Sequence, residues 1–270
     1  MDPRKISELK ELFLVLGIHP KKSLSQNFLV EKNTLEKLVS LAQVGPEDTV
    51  LEIGPGLGAI TLTLLEKGAK VIAVELDRNL AKHLKESITN PNFTLIEGDF
   101  LETPLKSLEG PLKLVANIPF QITSPIFDRL AKNRLLFSSI YLVVQKDLAV
   151  RVVAQKGSGD VGAFSLFCQY YFDVKILSTI GPSNFYPKPT IDAAYIELIP
   201  KAKIPFEDGD PFFDFLHILF HKKRKMIRSS IPHPDLESIL AKRSLAPTMR
   251  PQELSLDDFV YLFQKLEEKP

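Results

Sequence analysis

Acidic or amide side chains follow short apolar runs at four places in this 270-residue chain, and a glycine cluster stands with the first of them. "VLEIGPGLGAI" carries Glu52 and then Gly54, Gly56 and Gly58; "KVIAVEL" brings Glu75, "LIEGDF" brings Asp99, and "LKLVANIPF" brings Asn117. Glycines between a strand and a helix let the backbone turn tightly and approach a ligand, while the helix N-terminus offers unpaired N–H groups. A carboxylate at Glu75 suits both hydroxyls of an adenosine ribose, and one at Asp99 suits an adenine amino group. Glu52, inside the first strand, suits a cationic ligand and is misplaced beside a pyrophosphate. A second reading stays open: Gly54, Gly56 and Ala59 also satisfy G-x-G-x-x-G/A with Glu75 about 20 residues on, the pattern of a nicotinamide dinucleotide site.

These residues need a scaffold that delivers them to one place. From about Thr49 to Ile180 short apolar runs ("TVLEIG", "KVIAVEL", "FTLIEGD", "LKLVANI", "SIYLVVQ") alternate with helical segments ("AITLTLLEKG", "RNLAKHLKESI", "PIFDRLAKN"). That alternation predicts an α/β fold, a mostly parallel sheet with helices on both faces. Consecutive strand ends then present Glu52 with Gly54, Glu75, Asp99 and Asn117 to one crevice. At Asn117-Ile118-Pro119-Phe120 the proline cannot donate to a ladder and biases Ile118 away from helix, so the strand stops there. Ser124 is expected to cap the next helix, with Pro125 as its first residue.

"DVKILSTI" and "TIDAAYIELIP" predict two further strands, joined by "GPSNFYPKP" and paired antiparallel at the sheet edge. Residues 200–211 concentrate proline, glycine and charge, which is linker chemistry. Beyond them "FFDFLHILFHKKRKMIRSSI", "DLESILAKRS" and "SLDDFVYLFQKLEE" read as helices. The expected division is therefore a ligand-binding domain over 1–200 and a small all-helical domain over 201–270.

With 34 basic and 33 acidic residues the net charge is +1, so a nucleic-acid partner must be gripped by local clusters. "HKKRKMIRSS" supplies one: Lys222, Lys223, Arg224, Lys225 and Arg228 stand together without an acid, a grouping suited to phosphates. Lys146, Arg151 and Lys156 extend that basic character. The single cysteine, Cys168, in the aromatic run "FSLFCQYYF", has no partner for a disulfide and reads as a packed thiol, which suits a reducing cytoplasm. Charged residues interrupt the N-terminal leucines, predicting a short amphipathic helix and no signal peptide. No apolar run approaches the roughly 20 residues needed to span a bilayer, so no membrane partner is expected.

In order, "EIGPGLG", "VELD", "EGDF" and "NIPF" resemble the motifs of class I S-adenosyl-L-methionine-dependent methyltransferases, "NIPF" being the form seen in RNA adenine amino-group methyltransferases. "KKSLSQNFL" (21–29), "VVQKDLAVRV" (143–152), "NFYPKPTIDAA" (184–194), "KKRKMIRSSI" (222–231) and "RPQELSLDDFVYL" (250–262) extend the resemblance to the ribosomal small-subunit RNA adenine dimethyltransferase family over nearly the whole chain.

The resemblance implies a Rossmann-like sheet, S-adenosyl-L-methionine as cofactor, and dimethylation of two adjacent adenosines in the 3′-terminal hairpin loop of small-subunit (16S) ribosomal RNA during late assembly of the 30S particle. It implies that Gln26, Asn27 and Leu29 contact the cofactor together with Gly54, Gly56, Glu75, Asp99 and Asn117. An adenine amino nitrogen is a poor nucleophile because its lone pair is delocalised, and acceptors for its two hydrogens push it towards a tetrahedral state. The Asn117 oxygen and a backbone carbonyl at Ile118 or Pro119 supply them, with Pro119 fixing the turn and Phe120 offering a stacking face. Phe120 stands where the family most often has tyrosine, and Ser25 where it commonly has glycine. Phe185 matches the aromatic that sandwiches the target base from its other side. A monomer without a metal ion is expected. The alternatives are the related large-subunit adenine methyltransferase that confers macrolide resistance, a non-catalytic RNA-binding assembly or transcription factor, and a nicotinamide dehydrogenase.

Overall fold

The computed structural model of the chain describes residues 1–18 and 27–267. Gln26, Ser25 and the rest of 19–26 lie outside the described residues. Two compact units emerge, the first built from Met1–Ala149 with Lys175–Pro200 and the second from Val150–Val174 with Lys201–Pro270.

In chain order the elements through which the first unit runs are α1 (Ile6–Leu16), β1 (Phe28–Leu29), α2 (Lys32–Leu41), β2 (Thr49–Ile53), α3 (Ala59–Glu66), β3 (Lys70–Glu75), α4 (Arg78–Ser87), β4 (Phe93–Glu97), β5 (Leu112–Asn117), α5 (Thr123–Lys132), β6 (Phe137–Gln145), α6 (Lys146–Val153), β7 (Phe172–Ile180), β8 (Phe185–Tyr186) and β9 (Ala193–Pro200). Seven strands form one sheet in the order β4-β3-β2-β5-β6-β9-β7. The pairs from β4 to β6 are parallel and β6 pairs antiparallel with β9. Val50, Leu51, Leu112, Leu114 and Ile140 are fully buried, as strands covered on both faces require. The strand order reverses between β2 and β5, and a ligand crevice in such a sheet opens at that switch point, beyond the strand C-termini.

The helices pack by their apolar stripes. On α5, Ile126, Phe127 and Leu130 are fully buried, each contributing on the order of 2 kcal/mol of burial free energy. The start of α5 departs from the expected capping. A single 3₁₀ turn over Phe120–Ile122 runs directly into Thr123, so Ser124 lies inside the helix and Pro125 is its third residue. Proline is tolerated there because the first helical N–H groups have no intrahelical partner.

The second unit holds α7 (Ala163–Tyr171), α8 (Asp210–His221), α9 (Ile227–Ser230), α10 (Leu236–Ala241) and α11 (Leu256–Glu267). The first unit still ends at Pro200, while Val150–Val174, within the span 1–200, groups by its contacts with the helical unit. The cause is the aromatic face of α7, where Tyr170 lies 5.5 Å from Phe212 and Phe167 lies 5.2 Å from Phe213. The Tyr170 hydroxyl also donates to the Phe206 carbonyl (2.9 Å) and accepts the Phe206 N–H (2.8 Å). Cys168 is fully buried, as a packed thiol should be. The helix expected to run through the basic cluster is broken: α8 ends at His221 and α9 begins at Ile227, with turns between. Like charges one turn apart, Lys222 with Lys225 and Arg224 with Arg228, disfavour a continuous helix, and Ile227 instead donates its N–H to the Met249 carbonyl (2.8 Å).

Candidate active site

The glycine loop leaves β2 with Gly54, Gly56 and Gly58 at φ of +64°, +63° and +88°, backbone that side-chain-bearing residues rarely adopt. At Gly56 space is also decisive, since a Cβ there would stand 2.8 Å from the Phe28 ring. The loop is stitched to β3 by the Gly54 N–H, which donates to the Val74 carbonyl at 2.9 Å.

Glu75, at the end of β3, is 5% exposed and accepts two backbone N–H groups, from Gly56 (3.0 Å, Oε2) and Asp77 (2.8 Å, Oε1). Burial raises its pKa and those two donors oppose the rise. Asp99, beyond β4, accepts the Leu101 N–H on Oδ1 at 2.8 Å. Asn117 ends β5 and donates from Nδ2 to the Asn27 carbonyl at 2.7 Å. A carbonyl only accepts, so the amide nitrogen must face Asn27 and Oδ1 is left as the acceptor. The Pro119 carbonyl accepts the Ile122 N–H at 3.3 Å and the Thr123 hydroxyl at 3.4 Å, drawing it into the turn.

A cleft of about 230 Å³ gathers these groups: Asn27, Gly54, Gly56, Glu75, Asp99, Asn117, Pro119 and Phe120 all line it. Phe28, Leu76, Phe100 and Leu101 are among its apolar walls, and none of the four was expected there from the sequence. The signal for two of them was present, because Leu76 and Phe100 each follow an acid at a strand end, and Leu76 is 56% exposed although apolar. Two apolar side chains beside the Glu75 and Asp99 carboxylates make a slot with the shape and polarity a flat heterocycle requires.

A smaller cavity of about 30 Å³ shares Phe28, Gly54 and Asn117 with the cleft and adds Leu9, Leu29 and Glu52. Glu52 is buried, accepts the Thr61 hydroxyl on Oε2 at 2.6 Å, and has no hydrogen-bond partner for Oε1. Burial, with a smaller contribution from the Glu75 carboxylate, pushes its pKa up to about 8 against the opposing Thr61 bond. An orphaned buried oxygen of this kind beside the glycine loop, with Glu75 and Asp99 in the adjoining cleft, fits a ligand that carries an adenosine and a cationic group able to draw Glu52 into its ionised form.

Phe185 is not delivered to the cleft. Its ring is 2% exposed in the core with Leu29, Leu35 and Tyr195, and its backbone pairs with Leu29 in the small antiparallel sheet β1–β8. The proline-rich loop therefore uses this aromatic as a packing plug in this structure, and Leu29 lies in the smaller cavity, not the main cleft. In the second unit Lys222, Lys223, Arg224, Lys225 and Arg228 are all exposed, and none forms an ion pair among the described residues. Arg151 and Lys156 are exposed as well, whereas Lys146 is drawn to Asp192 Oδ2 at 3.1 Å and is not a free cation. Among the described residues no His, Cys, Asp and Glu grouping forms a metal-binding cluster, and no helix is long and apolar enough to cross a membrane.

The parallel sheet with an antiparallel edge, and the glycine loop with its acids at successive strand ends, define a Rossmann-like class I methyltransferase. Residues 18–268 match the ribosomal RNA adenine dimethylase family, and the chain belongs to it. Relatives named ribosomal RNA small subunit methyltransferase A include that of Chlorobaculum parvum, 39% identical over 92% of this chain and 90% of the relative. That of Protochlamydia amoebophila is 36% identical over 97% of this chain and 96% of the relative. A crystal structure of a dimethyladenosine transferase from Plasmodium falciparum superposes with a TM-score of 0.75 at 25% identity, covering 87% of this chain and 96% of that one. The 23S rRNA methyltransferase ErmE gives 0.69 at 25% identity, covering 90% of this chain and all of that one. Family membership sets aside the dinucleotide reading of Gly54, Gly56 and Ala59 and makes S-adenosylmethionine the cofactor.

Proposed function

We propose that this enzyme transfers methyl groups from S-adenosylmethionine to the exocyclic amino groups of two adjacent adenosines in the 3′-terminal hairpin loop of small-subunit (16S) ribosomal RNA. It acts as a cytoplasmic monomer on a precursor of the 30S subunit. The observation that carries the chemistry is the Asn117 amide, whose nitrogen is held by the Asn27 carbonyl and whose oxygen is free to accept.

Bound S-adenosylmethionine supplies an electrophilic methyl group on a sulfonium. When it binds, Glu75 would hold its ribose hydroxyls, Asp99 would accept its adenine amino group, and the glycine loop would let the backbone approach it. Asn117 Oδ1 accepts one hydrogen of the target amino group. The Ile118 carbonyl accepts the other, since the Pro119 carbonyl is already engaged by the turn. Both acceptors aim the nitrogen lone pair, so reaction becomes a matter of held geometry. The nitrogen is cationic after transfer and releases its proton to water, so no strong base is required. Phe120 stacks on the base, which must be unstacked from its RNA to reach the cleft. The exposed cluster Lys222–Lys225 with Arg228 grips phosphates, so binding weakens steeply as salt rises.

Incubation of the protein with labelled cofactor and unmethylated small subunits, followed by nucleoside analysis, tests this reading. Label in N6,N6-dimethyladenosine of the small-subunit RNA is the expected result. Label confined to large-subunit RNA, or none on either particle, would overturn it.

A further inference from the structure

Helix α1 lies ahead of residues 18–268, the stretch matched by the family, yet its buried face is turned to the cofactor machinery. Leu9 is fully buried and lines the smaller cavity alongside Glu52, Gly54 and Asn117. Phe13 meets the Phe28 ring edge-on at 5.2 Å and the Tyr186 ring at 5.8 Å. Phe28 in turn occupies the space over Gly56, where any Cβ would collide with it. Tyr186 stands in register with Phe28 across β1–β8, and Lys10 Nζ lies 5.5 Å over its ring. Leu57 of the glycine loop and Leu80 of α4 pack into the same cluster as Leu9, Leu12 and Phe13.

The helix is pinned at both ends. Arg4, 8% exposed, joins Asp2 (2.9 Å) to Glu66 at the end of α3 (2.6 Å). Gly17 closes the other end at φ +61°, letting Ile18 donate its N–H to the Phe13 carbonyl at 3.0 Å. An 11-residue helix is marginal by itself, so its order comes from docking. The surface on which it docks is the glycine loop, Phe28 and Tyr186.

We infer that α1 is a working part of the cofactor site: Leu9 walls the pocket beside Glu52, and Phe13 is a positioning residue that holds Phe28 over the glycine loop. The inference rests on the proposed use of that loop for S-adenosylmethionine. Any ligand that needs Asn27, Phe28 and the glycine loop in place favours docked α1, and docked α1 favours the ligand by the same factor.

The test uses full-length protein and S-adenosylhomocysteine as the probe, with affinity measured by calorimetry and amide exchange followed over residues 6–16. The ligand should slow exchange throughout α1. Leu9→Ala and the milder Phe13→Leu should each weaken binding about tenfold or more, the cost expected when buried apolar contacts of a docked element are lost. Leu14→Ala, on the exposed face, should stay within about twofold. Wild-type protein that binds the probe without any change of exchange in α1, or inner-face variants that remain folded and bind it as wild type does, would overturn the inference alone. Wild-type protein that does not bind the probe would overturn the cofactor reading and this inference together.

Discussion

Asn117 and Asn27, ninety residues apart, meet through a 2.7 Å hydrogen bond from the Asn117 Nδ2 to the Asn27 carbonyl. That contact decides which end of the amide is available for chemistry, and it ties the end of β5 to the chain entering β1. One residue thus presents its oxygen to the cleft while its nitrogen fixes the segment that borders it.

Asn117→Asp puts an oxygen where the Asn27 carbonyl requires a donor. The variant keeps an acceptor oxygen but loses the donor that aims it, so it should lose transfer by about 10²-fold, as a misplacement of about 1 Å does, and should also weaken S-adenosylhomocysteine binding as Asn27 is displaced. Single-turnover kinetics with calorimetry checks both; transfer at the wild-type rate would refute the assigned role of the amide.

Glu52 should impose a pH dependence on stability. Its folded pKa of about 8 lies above the ordinary value of 4.5, so between these values the folded chain retains a proton that the unfolded chain has released. Where the unfolded state binds fewer protons, stability falls as pH rises. Glu52's contribution is therefore fully present below about pH 4.5 and lost through pH 8. Glu52→Gln removes that slope. Thermal unfolding of both proteins from pH 5 to 8 should show the variant gaining on wild type by several degrees, given about 2–4 °C per kcal/mol in a chain of this size. Parallel profiles would contradict the assignment.

Arg129 on α5 donates to the Leu101 carbonyl from Nη1 at 2.5 Å and to the Thr103 carbonyl from Nη2, with its guanidinium 5.5 Å from the Phe100 ring centre. One side chain therefore fixes the loop that contributes Phe100 and Leu101 to the wall of the cleft. Lysine lacks the planar fork that spans two carbonyls, so Arg129→Lys should raise the dissociation constant for S-adenosylhomocysteine about tenfold. Turnover at saturating cofactor should change little, because Asn117 and Phe120 are untouched. A lower unfolding temperature with unchanged affinity would confine Arg129 to a purely structural role.

Much of this arrangement was legible in the residues. β2 to β6 lie where the apolar runs stand, and Glu75, Asp99 and Asn117 line one cleft because a parallel sheet brings its strand ends to one edge. What escaped depends on partners distant in sequence. Nothing local tells Val150–Val174 to leave the first unit; the aromatic contacts of Tyr170 and Phe167 with Phe212 and Phe213 decide it. Ser124 and Pro125 read as a helix start, yet the helix begins two residues sooner, at Thr123, because Phe120–Ile122 already winds into a 3₁₀ turn.

The sequence by itself determined the sheet, the glycine cradle and the chemical types presented at its edge, because strand periodicity and left-handed glycine positions are local properties. Tertiary structure alone decided which way the Asn117 amide points, that Phe185 is buried in the core, that Glu52 retains an unpaired oxygen, and that α1 closes on Phe28. Each of these depends on a contact, or on a loss of water, supplied by residues far along the chain.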